Sequence, residues 1–145
     1  MIQENKNNFE KQDEFTKAYI VAAIWTSEPE DVDDNNTFDV IKIPQDILDL
    51  VSLECKTFQE NNEKLLDAAY SSGKDYEASR AGHDLWLTRN GHGVGYWDRD
   101  LGEIGEKLSD KARELNGSDL YLGDDNNLYF SNLPKIKNVK VKMRK

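Results

Sequence analysis

Apolar residues recur at helical spacing in three stretches of this chain and alternate with polar ones in two others. In the first stretch Phe15, Ala18, Tyr19, Ala22 and Trp25 lie three and four apart, which predicts a helix from about Asp13 to Thr26, ended by Ser27-Glu28-Pro29. The second begins near Pro44, whose missing N–H suits a first helical position. Ile47, Leu50, Val51, Phe58, Leu65 and Ala69 mark one face as far as Tyr70, and Ser71-Ser72-Gly73 stops it. Glu54 and Asn62 interrupt that face, so this helix is expected to bend or to meet a polar partner. A short helix over about 74–81 follows. The third stretch has the cleanest stripe, Leu101, Ile104, Leu108, Ala112 and Leu115, with Asp100 and Glu103 spaced as a capping box and Asn116-Gly117 at its end.

Alternation is strongest from Leu85 to Trp97. Asn90-Gly91 between two such runs predicts a hairpin with a type I′ turn, because that turn requires φ > 0 at both central residues. Counting outward pairs Arg89 with His92, Leu87 with Val94, Leu85 with Tyr96 and His83 with Asp98 on one side. Thr88 then pairs with Gly93 and Trp86 with Gly95 on the other. A second hairpin is predicted from Asp119–Leu122 and Leu128–Phe130, turning through 123–127. The expected architecture is a single α+β domain over residues 1–134: N-terminal helices packed on antiparallel hairpins, with one central amphipathic helix. Residues 1–11 are expected to fray. The small residues Gly102, Gly105, Ser109 and Ala112 form a stripe that predicts close approach by another backbone, self-association included.

Charge changes this picture more than composition does. The 145 residues carry 28 Asp+Glu against 19 Lys+Arg, a net charge of -9. Six of the basic residues lie in a tail over 135–145 that has no acid, so residues 1–134 hold 13 basic and 28 acidic residues, a charge of -15. Such a body repels nucleic-acid phosphates unless it imitates them, so direct nucleic-acid binding by it is not expected. Glu30, Asp31, Asp33, Asp34, Asp39, Asp46 and Asp49 are candidates for an acidic strip facing a basic partner. With 37% hydrophobic residues the core is expected to be thin. No apolar run approaches the ~18 residues of a membrane span, and residues 1–6 lack the pattern of a signal peptide, so host cytoplasm is the expected location. Cys55 stands alone, which excludes a disulfide framework or cysteine cluster within this sequence.

The polar and aromatic residues of interest gather between Gly82 and Arg99. His83, Asp84, Arg89, His92 and Asp98 are the candidates for an enzymatic site, since an imidazole oriented by a carboxylate can act as a base. In the counted register the two histidines lie ~17 Å apart at ~3.3 Å per residue, too far to share a metal ion, so neither metal nor cofactor is expected. Gly91-His92-Gly93-Val94-Gly95 lacks the Lys-Ser/Thr of a phosphate loop, and 124–127 lacks the spacing of an EF-hand. The candidates for a binding surface are Trp86, Arg89, Asn90, His92, Trp97 and Arg99, together with Asp31, Asp33 and Asp34.

The run Ala81-Gly82-His83-Asp84-Leu85-Trp86-Leu87-Thr88-Arg89-Asn90-Gly91-His92-Gly93, with Tyr96-Trp97-Asp98-Arg99 and 119–125, resembles a family of small acidic proteins encoded by phages and plasmids. The family pattern reads approximately Ala-Gly-His-Asp-Phe-Trp-Leu-Thr-Arg-Asn-Gly-His-Gly-Ala-Gly-Phe-Trp-Asp, and this chain departs from it conservatively at Leu85, Val94 and Tyr96. The resemblance covers roughly residues 78–130. It implies a phage or mobile-element origin and names no reaction. Sequence and resemblance together predict an accessory protein that binds and modulates a host or phage macromolecule, as a DNA mimic or an inhibitor of a defence protein. The alternative is a small enzyme acting on a nucleotide or nucleic acid through His83–Arg99.

Overall fold

A computed structural model of the chain describes residues 7–29, 37–92 and 94–134. The acidic loop residues Glu30, Asp31, Asp33 and Asp34, as well as Gly93 and the basic tail, lie outside the described residues. Five helices and one hairpin follow in the order α1 (Glu14–Ser27), α2 (Gln45–Asn61), α3 (Glu63–Tyr70), α4 (Ala78–Arg89), α5 (Glu103–Arg113), β1 (Leu120–Leu122) and β2 (Leu128–Phe130). The fold class is α+β. Short 3-10 turns precede α1, α2 and α5.

The first and third of the long predicted helices exist, with informative differences at the edges. Asp13 caps α1 by accepting the Thr16 N–H at 2.8 Å. Phe15, Tyr19 and Ala22 of the apolar stripe are buried, but Trp25 is 73% exposed. The N-terminal segment is tied down from residue 7 onward. The Asn7 amide donates to the Val40 and Ile43 carbonyls, and Phe9 is buried.

The second predicted helix is two. It breaks at Asn62, whose buried amide donates to the Phe58 carbonyl, as a short polar side chain does when it competes with the helix ladder. Of the short helix expected over 74–81, residues 78–81 are the first turn of α4 and 74–77 are not helical.

The largest correction concerns Leu85–Trp97, which forms no hairpin among the described residues. Residues 78–89 form α4, and Asn90-Gly91 ends it instead of turning between strands. Gly91 has φ +70°, the His92 N–H donates to the Leu87 carbonyl at 3.0 Å, and the Gly91 N–H donates to the Thr88 carbonyl at 3.2 Å. Those two bonds are the Schellman pattern, in which a glycine in left-handed conformation satisfies the last helical carbonyls. The capping box of α5 is likewise absent. Asp100 adopts φ +58° and pairs with Lys74 at 2.9 Å, while Gly102, at φ +61°, precedes the helix.

α4 is the axis of the fold and packs most extensively on α1. A methyl group on Gly82 would meet the Phe15 carbonyl oxygen at 1.9 Å, so the two backbones touch where glycine removes the obstacle. The small stripe of α5 works similarly: a Cβ on Gly105 would lie 2.7 Å from the Tyr96 carbonyl oxygen. The backbone predicted to approach α5 is therefore this chain's own, and Gly105, Ser109 and Ala112 are buried beneath it. β1 and β2 pair antiparallel in the register Leu120–Phe130, Tyr121–Tyr129 and Leu122–Leu128. Phe130 closes the core from that side, edge-on to Trp86 and stacked on Tyr19.

Candidate functional site

Six consecutive residues of α4, Asp84 to Arg89, are buried, which is possible only for a helix covered on several sides. The polar members of that run must then find partners, because a buried polar group without one is costly. Asp84 is fully buried. It accepts from Arg99 Nε at 2.9 Å and Nη2 at 2.6 Å, and from the Tyr76 hydroxyl at 2.6 Å. Those hydrogen bonds hold the Arg99 guanidinium above its ordinary pKa, while burial, then the neighbouring Tyr96 and Asp84, push the Tyr76 phenol up.

Arg89 spends its guanidinium in the same way. Nη1 donates to Glu54 at 2.8 Å and to the Tyr19 hydroxyl at 2.9 Å. Nε donates to the Asn116 carbonyl at 2.7 Å and Nη2 to the Leu115 carbonyl at 3.0 Å. Burial works against the arginine charge, but Tyr19 and Glu54 outweigh it and hold its pKa above the ordinary value. Burial raises the Glu54 carboxyl, with Arg89 pulling in the opposite direction. The Glu54 interruption of the α2 stripe is thus the polar contact the sequence anticipated. Breaking a buried pair by removing one partner destabilises by about 3–5 kcal/mol.

Other residues of the motif are used similarly. The Thr88 hydroxyl accepts the Tyr96 N–H at 3.2 Å, and the Tyr96 hydroxyl donates to the Ala81 carbonyl at 2.8 Å. Asn90 donates to the Trp86 carbonyl and accepts the Ser118 N–H. The Trp86 indole N–H donates to the Thr26 hydroxyl at 2.8 Å. The inward half of the motif therefore joins α1, α2, α4 and the segments flanking α5 into one body.

On one side of α4 this interior reaches the surface, with Trp86 buried and His83 and Asn90 half-buried. His83, Trp86 and Asn90 are spaced three and four apart, so they share one side of α4, alongside the end of α1. The His83 ring lies 6.4 Å from that of Trp25. Its Nδ1 is 3.9 Å from Asp84 Oδ1, too far for a hydrogen bond, and that oxygen already accepts from Arg99. Val21, one turn before Trp25, is 51% exposed.

Farther along this side, Trp86, Asn90 and His92 line a cleft of 390 Å³, closed by Thr26 and Ser27 of α1 and by 118–120 before and within β1. Among the described residues the His92 imidazole and the Asp119 carboxylate have no partner.

Of the five residues in the enzymatic alternative, only His92 lines this cleft. Asp84 and Arg89 belong to networks with no partner in common. Asp98 and Trp97 are exposed on the 3-10 turn before α5, where the Arg113 guanidinium lies 5.3 Å from the Trp97 ring centre. No group of three His, Cys, Asp or Glu side chains that could hold a metal ion occurs among the described residues. Asp39 and Asp46, of the predicted acidic strip, accept nearby backbone N–H groups, and Asp49 accepts from Gln45. No helix among the described residues is long and apolar enough to cross a membrane.

Val21, Trp25, Ser27 and Asp119 are the surface residues that sequence reasoning passed over. The available signal was that α1 is apolar almost all round, with Ile20, Val21 and Ile24 in addition to the buried stripe, more than one packed face requires. No family model matches the sequence, and no match is found among curated proteins or solved structures.

Proposed function

We propose that this chain is a small accessory protein, of phage or mobile-element origin, that binds a host or phage macromolecule in the host cytoplasm and modulates it. A DNA-binding or defence protein with a basic surface fits the excess of acidic residues, through charge complementarity and faster encounter. The observation that carries this reading is Trp25, left 73% exposed beside His83 on an ordered helix. Tryptophan is over-represented among residues that dominate binding energy, and a large indole held in water by a rigid helix has its ordering cost already met. Against the enzymatic alternative stands the engagement of Asp84 and Arg89 in hydrogen bonds within the fold.

The test is affinity capture from infected-cell lysate at low and high salt, with wild-type and Trp25→Ala proteins run in parallel. The expected result is a defined partner that wild type retains and the variant loses, by about tenfold or more for one anchor residue. An identical captured set for both proteins, or nothing specific for either, refutes the reading. Trp25→Ala should leave folding within about 0.5 kcal/mol, since the side chain is exposed.

A further inference from the structure

The cleft at the end of α4 identifies the kind of group a partner would present. We infer that it receives a single basic side chain, a guanidinium or an ammonium, from a partner protein, with Asp119 as the counter-charge. This rests on the binding reading above and specifies a site within it.

The sign of the site follows from what lines it. Asp119 contributes an exposed carboxylate and Ser27 a hydroxyl, while the Thr26 and Ser118 hydroxyls are already bonded within the fold; neither lysine nor arginine is among the lining residues, where His92 supplies an imidazole. α1 ends at Ser27, on the rim, with no basic residue in its last turn, so the partial negative charge of that helix end lies beside the cleft. Arg89, the basic residue in the last turn of α4, is turned inward to Glu54. An anion would meet Asp119 and a helix C-terminus together; a cation meets both favourably.

Shape adds a second constraint. The cleft measures 390 Å³, at the low end of the ~300–1,000 Å³ range of small-molecule sites, which suits one side chain rather than a helix or strand. Trp86 forms part of its wall, buried at 2% exposure with its indole N–H given to Thr26. The Asp119 carboxylate favours a charged side chain over a neutral amide of the same size.

The experiment uses the full chain, 15N-labelled, titrated with Nα-acetyl-arginine amide and in parallel with the uncharged citrulline analogue, while backbone amide shifts are followed. The inference expects saturable shifts at Ser27, His92, Ser118 and Asp119 with the arginine probe and none with citrulline. Asp119→Asn should weaken the response by about tenfold, the worth of one charge-assisted hydrogen bond. Its side chain has no partner among the described residues, so the variant should fold normally. Asp124→Asn, an exposed acid of the same hairpin, should leave binding unchanged.

Shifts scattered over the acids of α2, an equal response to citrulline, or an unaltered response in Asp119→Asn each overturn the inference. The two readings fail separately. Loss of partner capture in Trp25→Ala with no arginine response at the cleft refutes this site alone. A cleft response with no captured partner refutes the macromolecular reading and leaves the cation site standing.

Discussion

Replacing Gly82 with alanine sets two forces of opposite sign against each other. Helix propensity favours alanine by about 1 kcal/mol in a helix interior, and Gly82 is the fifth residue of α4. Against it stands the crossing with α1, where the new Cβ would lie 1.9 Å from the Phe15 carbonyl oxygen and 2.7 Å from its carbonyl carbon. Reaching even 3.0 Å, below which such contacts essentially never occur, requires the two helices to part by about 1.1 Å. The obstacle is backbone, so no rotamer change relieves it. Parting the helices would loosen Tyr19 from Trp86 and lengthen the Trp86–Thr26 hydrogen bond. Overpacking costs about 1–3 kcal/mol, and a fixed backbone obstacle belongs at the upper end. Subtracting the propensity gain leaves a net loss of about 2 kcal/mol, or about 7 °C in Tm for a domain of this size. Urea unfolding followed by tryptophan fluorescence and circular dichroism measures it, with an unchanged m-value confirming that stability alone moved. A Gly82→Ala protein as stable as wild type, or more stable, would refute the close crossing and with it the placement of the motif on a helix against α1.

Three other perturbations probe the polar ties. Asp84→Asn removes the charge opposite Arg99 and offers a donor where two guanidinium nitrogens already donate, and should cost about 3 kcal/mol in urea unfolding, the low end because Arg99 is partly hydrated. Arg89→Lys keeps the charge but not the fork that reaches four acceptors, so a loss of about 2 kcal/mol in the same assay is expected instead of a conservative outcome. Asp13→Ala should cost about 1 kcal/mol at neutral pH as a lost helix cap. Partial burial opposes the Asp13 charge, but hydrogen bonds from Thr16 and Gln59 and the nearby Lys56 hold its pKa below the ordinary value. Its contribution is therefore complete above the ordinary carboxylate pKa, near 4, and disappears as pH falls through the lower folded value; the gap between wild type and variant should close over that acid range.

α2 and α5 were legible because each leaves enough water-facing residues for a 3.6-residue period to show. In α5, Leu108 and Ala112 are buried while Glu106, Lys107 and Lys111 stand outside, and the alternation of environments is printed in the residues. α4 gave no such signal. Leu85 to Arg89 are all buried, so its period is erased, and what survives is a two-residue alternation of Leu, Trp, Leu and Thr that reads as a strand. Asn-Gly then reinforced the error, since both a type I′ turn and a helix C-terminus call for left-handed conformation. For the candidate site, Trp86, Asn90 and His92 lie close together in the chain, and they line one cleft. The sequence had no means of bringing Ser27 and Asp119 to them, because those neighbours exist only once α1 and β1 are packed against α4.

The reach of Arg89 also limits how this chain can be divided. Its partners span Tyr19 to Asn116, with one acceptor on α1, one on α2 and two carbonyls after α5. Any fragment that begins after Tyr19 or stops before Leu115 keeps the guanidinium yet loses acceptors from its shell, and so cannot stand as a smaller working version. Two such fragments, cut in an exposed turn such as 71–75, would each be incomplete alone and complementary when mixed, with the arginine of one half closing on the tyrosine and glutamate of the other.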